Sequence, residues 1–97
     1  VRISLSADAQ RELEEGAVFY ARHANRLIAD AFISEFDRSA KLLIEYPELG
    51  SIWRRKTRRL PLRRFPYSIV YFVRETEVRV VAVAHHRRRP GFWRGRS

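Results

Sequence analysis

Two apolar runs, divided by the polar stretch Arg74-Glu75-Thr76-Glu77, constrain this chain more than anything else in it. Successive side chains of a strand point to opposite faces. The first run therefore splits into Tyr67, Ile69, Tyr71 and Val73 on one face and Ser68, Val70 and Phe72 on the other. The second splits into Val78, Val80, Ala82 and Ala84 against Arg79, Val81, Val83 and His85. Both faces are mainly apolar, so the pair reads as a central hairpin covered on at least one side, not as a solvated ribbon. Its turn lacks the Asn-Gly or Asp-Gly that would fix the turn type. After Ala84 the pattern gives way to His85-His86-Arg87-Arg88-Arg89-Pro90. The core is expected to be complete by about Ala84, with the basic, aromatic tail left for a partner.

What precedes the hairpin supplies the cover. Arg2-Ile3-Ser4-Leu5 alternates as a short strand with Ile3 and Leu5 inward. Ser6 can accept from the free amides of a first helical turn, and Asp8 there complements the helix dipole. Ala9, Leu13, Ala17, Tyr20 and Ala24 recur at helical spacing, with Arg11, Glu12, Glu14, Glu15 and Arg22 elsewhere on the circumference. That predicts a helix from about Ala7 to about Ala24, in which Gly16 marks a close approach. Asn25 punctuates, either as a cap or in a tight turn, and a second stripe (Ile28, Phe32, Phe36, Ala40, Leu43) runs until Pro47 stops the helix at Tyr46. A connection this short makes an antiparallel helical hairpin. Glu48–Ser51 reads as loop, and about Thr57 to Arg64 as a strand with Leu60 and Leu62 inward and Pro61 missing a ladder donor. The expected fold is α+β in the order β-α-α-β-β-β, the helices laid across a small, largely antiparallel sheet, all within one domain over residues 1–97.

Charge divides the chain. The formal net charge is +9; residues 1–50 hold six basic and nine acidic side chains, a net of −3, and residues 51–97 hold fourteen basic and two acidic, a net of +12. A field this one-sided attracts a polyanion or an acidic protein. With no cysteine, disulfides and thiolate metal sites are excluded. No apolar run reaches the roughly 20 residues of a membrane helix, and the N-terminus lacks the apolar core of a signal peptide. A cytoplasmic protein without a membrane partner is expected.

The segments LLIEYPELG, RRLPLRRFPYSIVYFV and AVAHHRRRPGFWRGR together resemble the RelE/ParE superfamily of bacterial toxins, over nearly the whole chain. Within it the chain is more similar to the ParE branch, often labelled plasmid-stabilisation proteins. The resemblance implies the toxin of a type II toxin–antitoxin module, bound by a cognate ParD-like antitoxin with an acidic, partly disordered segment. ParE-like toxins poison DNA gyrase, and RelE-like toxins cut messenger RNA on the ribosome; a degenerate, non-toxic binding module is a third possibility. One scaffold serves all of these, so fold does not choose among them.

The residues themselves weigh against hydrolytic metal or cofactor chemistry. His23, His85 and His86 are the only histidines, and no carboxylate stands near the last two at ligand spacing. Metal-free RNA cleavage needs a group to activate the ribose hydroxyl, cations for the phosphorane and an acid for the leaving oxygen. The candidates are His85, Arg59, Arg64 and Arg88, with Arg79 as a further cation. RelE-like nucleases carry basic residues here and often a Tyr or His near the end, whereas this chain has only Lys41 and Lys56 as lysines and closes on Phe92-Trp93. Arg87, Arg88, Arg89, Trp93 and Arg94 are the target-binding candidates. Trp93 suits either an anchor on a partner or a lid on the sheet. Arg54, Arg55, Arg58 and Arg59 are the candidates for binding the antitoxin's carboxylates.

Overall fold

Why the chain must be layered is visible in β4 (Tyr67–Arg74) and β5 (Glu77–His85), which are buried on both faces along most of their length. The computed structural model describes residues 1–97. Ahead of that hairpin come β1 (Arg2–Leu5), α1 (Ala7–His23), α2 (Arg26–Glu45), β2 (Ser51–Ile52), a 3-10 turn (Arg54–Lys56) and β3 (Arg58–Pro61). The five strands form one sheet in the order β1-β5-β4-β3-β2. Only the β1–β5 pairing is parallel, so the sheet is mixed and largely antiparallel.

The helices begin and end where local chemistry directs. The Ser6 hydroxyl accepts from the Ala9 N–H, and the Asn25 side chain accepts from the Ile28 N–H. Each takes up one of the donors that a helix start leaves unpaired. Gly16 lets the helices close up: a Cβ there would sit 2.7 Å from the Phe32 ring. Phe32, Phe36, Ala40 and Leu43 of α2 and Ala9 and Leu13 of α1 then pack on Ile69, Tyr71, Val78, Val80 and Val83. Tyr71 is fully buried, and its hydroxyl donates to the Pro47 carbonyl at 2.8 Å and accepts from the Gly50 N–H at 2.9 Å. One phenol thereby fixes the chain leaving α2.

Three expectations are corrected. Strict alternation along β5 fails, because the register steps from Val70↔Ala82 to Tyr71↔Val80 and leaves Val81 as the extra residue of a bulge. Val78, Val80 and Val83 consequently face the helices, while Val81, Ala82 and Ala84 pack on the opposite side. Second, the strand expected over Thr57–Arg64 is shorter, and Ser51–Ile52 adds a short antiparallel strand outside it. Pro61 ends β3 beyond the reach of β2, where its missing N–H faces an open edge. Third, Glu12 is not on the exposed circumference; it is 6 % exposed and lies against β5.

Glu35 joins α2 to the loop after β3. It accepts from Arg38 Nε and Nη2, both at 2.8 Å, and from the Arg63 N–H at 2.7 Å. The Arg38 guanidinium leads in holding this carboxyl at about 2, against an ordinary 4.5, although partial burial opposes it. The folded pKa is depressed, so the unfolded chain binds the extra proton in this window and stability rises with pH through it. The contribution is complete above pH 4.5 and is lost as pH falls toward about 2. Acid titration of unfolding free energy should show a shallower loss across this window for Glu35→Gln than for the parent protein. Parallel curves would contradict the role given to Glu35.

Candidate functional site

The tail after β5 is built from consecutive turns. The His86 N–H bonds to Pro66 O, and those of Arg88, Phe92, Arg94 and Arg96 bond to carbonyls three residues earlier. Gly91 and Gly95 take φ of +87° and +85°, a region costly for residues with a Cβ, and so allow the chain to double back. The reversal lays Trp93 on Val70, Val81, Ala82 and Ala84, where it is 2 % exposed. Its ring lies 4.6 Å from Trp53 and 5.4 Å from Phe92. The core is therefore not complete at Ala84; Trp93 is the lid of a second apolar layer on the sheet face opposite the helices.

Arg96 fastens this lid. Its Nη1 donates to Glu12 Oε1 and to the Val81 carbonyl, each at 3.0 Å, and its Nε lies 3.4 Å from Asp8 Oδ2. Glu12 Oε1 also accepts from the Val83 N–H at 3.0 Å. Sequence reasoning missed both residues. For Glu12 a signal existed, since it falls between Ala9 and Leu13 on the spacing of the buried face. For Arg96 there was none, because its partners are 84 and 15 residues away.

Above the lid the remaining arginines divide into two kinds. Arg59 sits over the Trp53 ring at 4.4 Å and Arg88 over Phe92 at 3.9 Å. Both help to line a cavity of about 80 Å³ with His86 and Trp93. Arg87, Arg89 and Arg94 are exposed. None of these five forms a salt bridge. On the other side of β5, His85, Tyr67, Tyr20, Glu12 and Arg88 line a cleft of about 250 Å³ between α1 and the strand end.

Of the four residues proposed for RNA cleavage, the structure brings together His85, Arg59 and Arg88. Arg64 lines a different cleft, beside Glu35, Arg38 and Arg63. His85 Nδ1 accepts from the Arg87 N–H at 3.1 Å, and its ring stands edge-on to Tyr67 at 5.0 Å. Burial, with Arg87 and His86 adding to it, pushes its pKa below the usual histidine value. The further cation Arg79 is held away from both cavities by Ser4 Oγ and the Ser97 carbonyl. Among the antitoxin candidates, Arg54 and Arg55 are exposed on the 3-10 turn, with Arg55 at φ +56°. Arg58 is bound inward, donating to Glu48 O at 3.1 Å and Gly50 O at 2.8 Å. Leu49, Ile52 and Val73 are exposed, and Ile52 and Val73 line one shallow cleft with Arg58.

Comparison with known proteins places this geometry. A family model described as the ParE toxin of the type II toxin–antitoxin system parDE matches residues 3–90. Among curated proteins none matches significantly. A solved structure described as a chromosomal ParDE TA system from P. aeruginosa aligns with a TM-score of 0.78 over 88 % of this chain and 95 % of that one, at 17 % identity. Identity that low establishes likeness of fold. Trp93 and Arg96 lie past the stretch matched by the family model.

Because Trp93 closes a core layer, Trp93→Ala should cost about 3–5 kcal/mol in denaturant unfolding. Truncation after Ala84 should abolish the cooperative transition or lower its midpoint sharply. Replacing Arg87, Arg89 or Arg94 by Gln should change stability by less than about 0.5 kcal/mol each, as at ordinary surface sites. A stable, cooperative truncation would mean that the lid adds nothing.

Proposed function

Since the chain belongs to the ParE toxin family of type II toxin–antitoxin systems, we propose that it arrests growth by trapping DNA gyrase on its DNA and that a ParD antitoxin silences it. The observation that carries the gyrase reading is the set of exposed arginines Arg87, Arg89 and Arg94 with no acidic partner, mounted on a folded tail. Cations without acidic partners keep their full attraction for a polyanion, and a fixed backbone lowers the ordering cost of binding. Trp93 supports this surface from below and Arg88 stands at its edge. No helix is long and apolar enough to cross a membrane; a cytoplasmic site of action fits a toxin whose target is gyrase.

Ribonuclease chemistry fits the residues less well. A general base needs a free lone pair within reach of the proton it takes. The Nδ1 lone pair of His85 already accepts from a backbone amide, which places the ring proton on Nε2. Arg64 is directed to another cleft. For the antitoxin, the exposed Ile52 and Val73 beside Arg58, with Arg54 and Arg55 exposed on the adjoining 3-10 turn, suit an acidic segment that orders on binding. Apolar anchors would slow its release, and its carboxylates would speed its approach. Arg58 and Arg59 would act there mainly by shaping the surface, Arg58 through its loop carbonyls and Arg59 through Trp53.

Expression without the antitoxin should stop growth and induce the DNA-damage response while transcripts stay intact. Purified gyrase should accumulate cleaved DNA in the presence of the toxin. Neutralising Arg87, Arg89 and Arg94 together should slow that association by roughly tenfold or more at low salt. Codon-biased messenger RNA cleavage with unbroken chromosomes would replace this reading with the ribonuclease one. Harmless expression with both assays blank would leave a binding module.

A further inference from the structure

We propose that the small cavity beneath the tail is a phosphate site that takes one phosphodiester group of a nucleic-acid strand. Its space of about 80 Å³ far exceeds the roughly 10–15 Å³ that one water needs and is well short of a drug-sized pocket. Two guanidinium groups frame it: Arg59 over Trp53 and Arg88 over Phe92. A guanidinium laid on an aromatic ring is held in orientation through its face, which leaves its in-plane N–H donors available. Neither arginine has a hydrogen-bond or carboxylate partner, and no acidic side chain lines the cavity. His86, a third nitrogen-bearing group, is fixed there by Ser68 Oγ at 2.9 Å from its Nε2.

A separate observation points to the same ligand. Trp93 is 2 % exposed and lines this cavity, and its Nε1 is the one buried side-chain nitrogen without an acceptor. Buried donors are normally paired. A phosphate oxygen drawn toward the inner wall is the acceptor that this wall lacks, once the lid yields slightly. The exposed Arg87, Arg89 and Arg94 extend positive charge away from the cavity, which favours a polymer of phosphates over a free ion. This assignment does not rest on gyrase being the target, since it concerns how the protein holds a phosphate.

The chain's only tryptophans, Trp53 and Trp93, both line the cavity, so intrinsic fluorescence reports its occupancy. The full chain is titrated with inorganic phosphate and then with single-stranded DNA and RNA of one sequence. A saturable fluorescence change is expected with phosphate, tighter with an oligonucleotide, and the two strands show which backbone is preferred. Arg88→Gln, on an exposed residue, should keep the fold and weaken binding by at least about tenfold. It should also lower the slope of log affinity against log salt by about 0.7 for a single strand. Arg74→Gln removes the same charge at the far end of the hairpin and should leave both quantities near those of the parent. Equal effects of the two substitutions, or oligonucleotide binding that leaves tryptophan emission unchanged, would overturn the assignment.

Discussion

The carboxylate of Glu12 joins α1, the middle of β5 and the C-terminal tail through a single oxygen, Oε1. β1 pairs with β5 only as far as Leu5↔Val80. Ser6 continues the edge for one step, through its N–H to Val80 O and its hydroxyl to Val81 O. Beyond that point the edge would hold an unpaired Val83 N–H inside the protein, a costly omission. Glu12 supplies the acceptor. A carboxylate so deeply placed needs a cation in turn, and Arg96 provides it. Short β1, the bulge at Val81 and the returning tail are thus parts of one solution to covering β5.

That solution also shapes the surface proposed to meet the target. A tail free in water would present its arginines with a large ordering cost on binding. Here Arg96 and Trp93 hold the backbone down, so that Arg87, Arg89 and Arg94 are displayed from a fixed base. The same fastening closes the wall of the Arg59–Arg88 cavity. Within the four residues Trp93 to Arg96, Trp93 is buried and Arg96 turns inward to Glu12, while Arg94 is exposed on the surface proposed to meet the target.

Much of the fold was legible because its signals are local. Ser6 and Asn25 cap their helices as their side chains imply, Pro47 stops α2, and Gly16 marks the close helix contact. The apolar hairpin called for cover on at least one face, and the structure covers both; the motifs around it pointed to the correct toxin family. What escaped depends on distant partners. A period of two cannot reveal a bulge, because Val81 becomes the extra residue only in the pairing with β4. Trp93 reads equally well as anchor or lid until Val70 and Trp53 are brought beneath and beside it. Arg58 resembles any other member of its basic run, yet two loop carbonyls turn it into scaffold.

The most direct test of this arrangement is a double-mutant cycle on Glu12 and Arg96, read by denaturant unfolding of the parent, Glu12→Ala, Arg96→Ala and the double variant. Two charged groups this buried and this close should couple by about 1.5 kcal/mol or more, with the double variant much less destabilised than the two single losses together imply. Additive losses, with a coupling below about 0.5 kcal/mol, would mean that the tail is not fastened through Glu12 and that its arginines are displayed from a mobile segment.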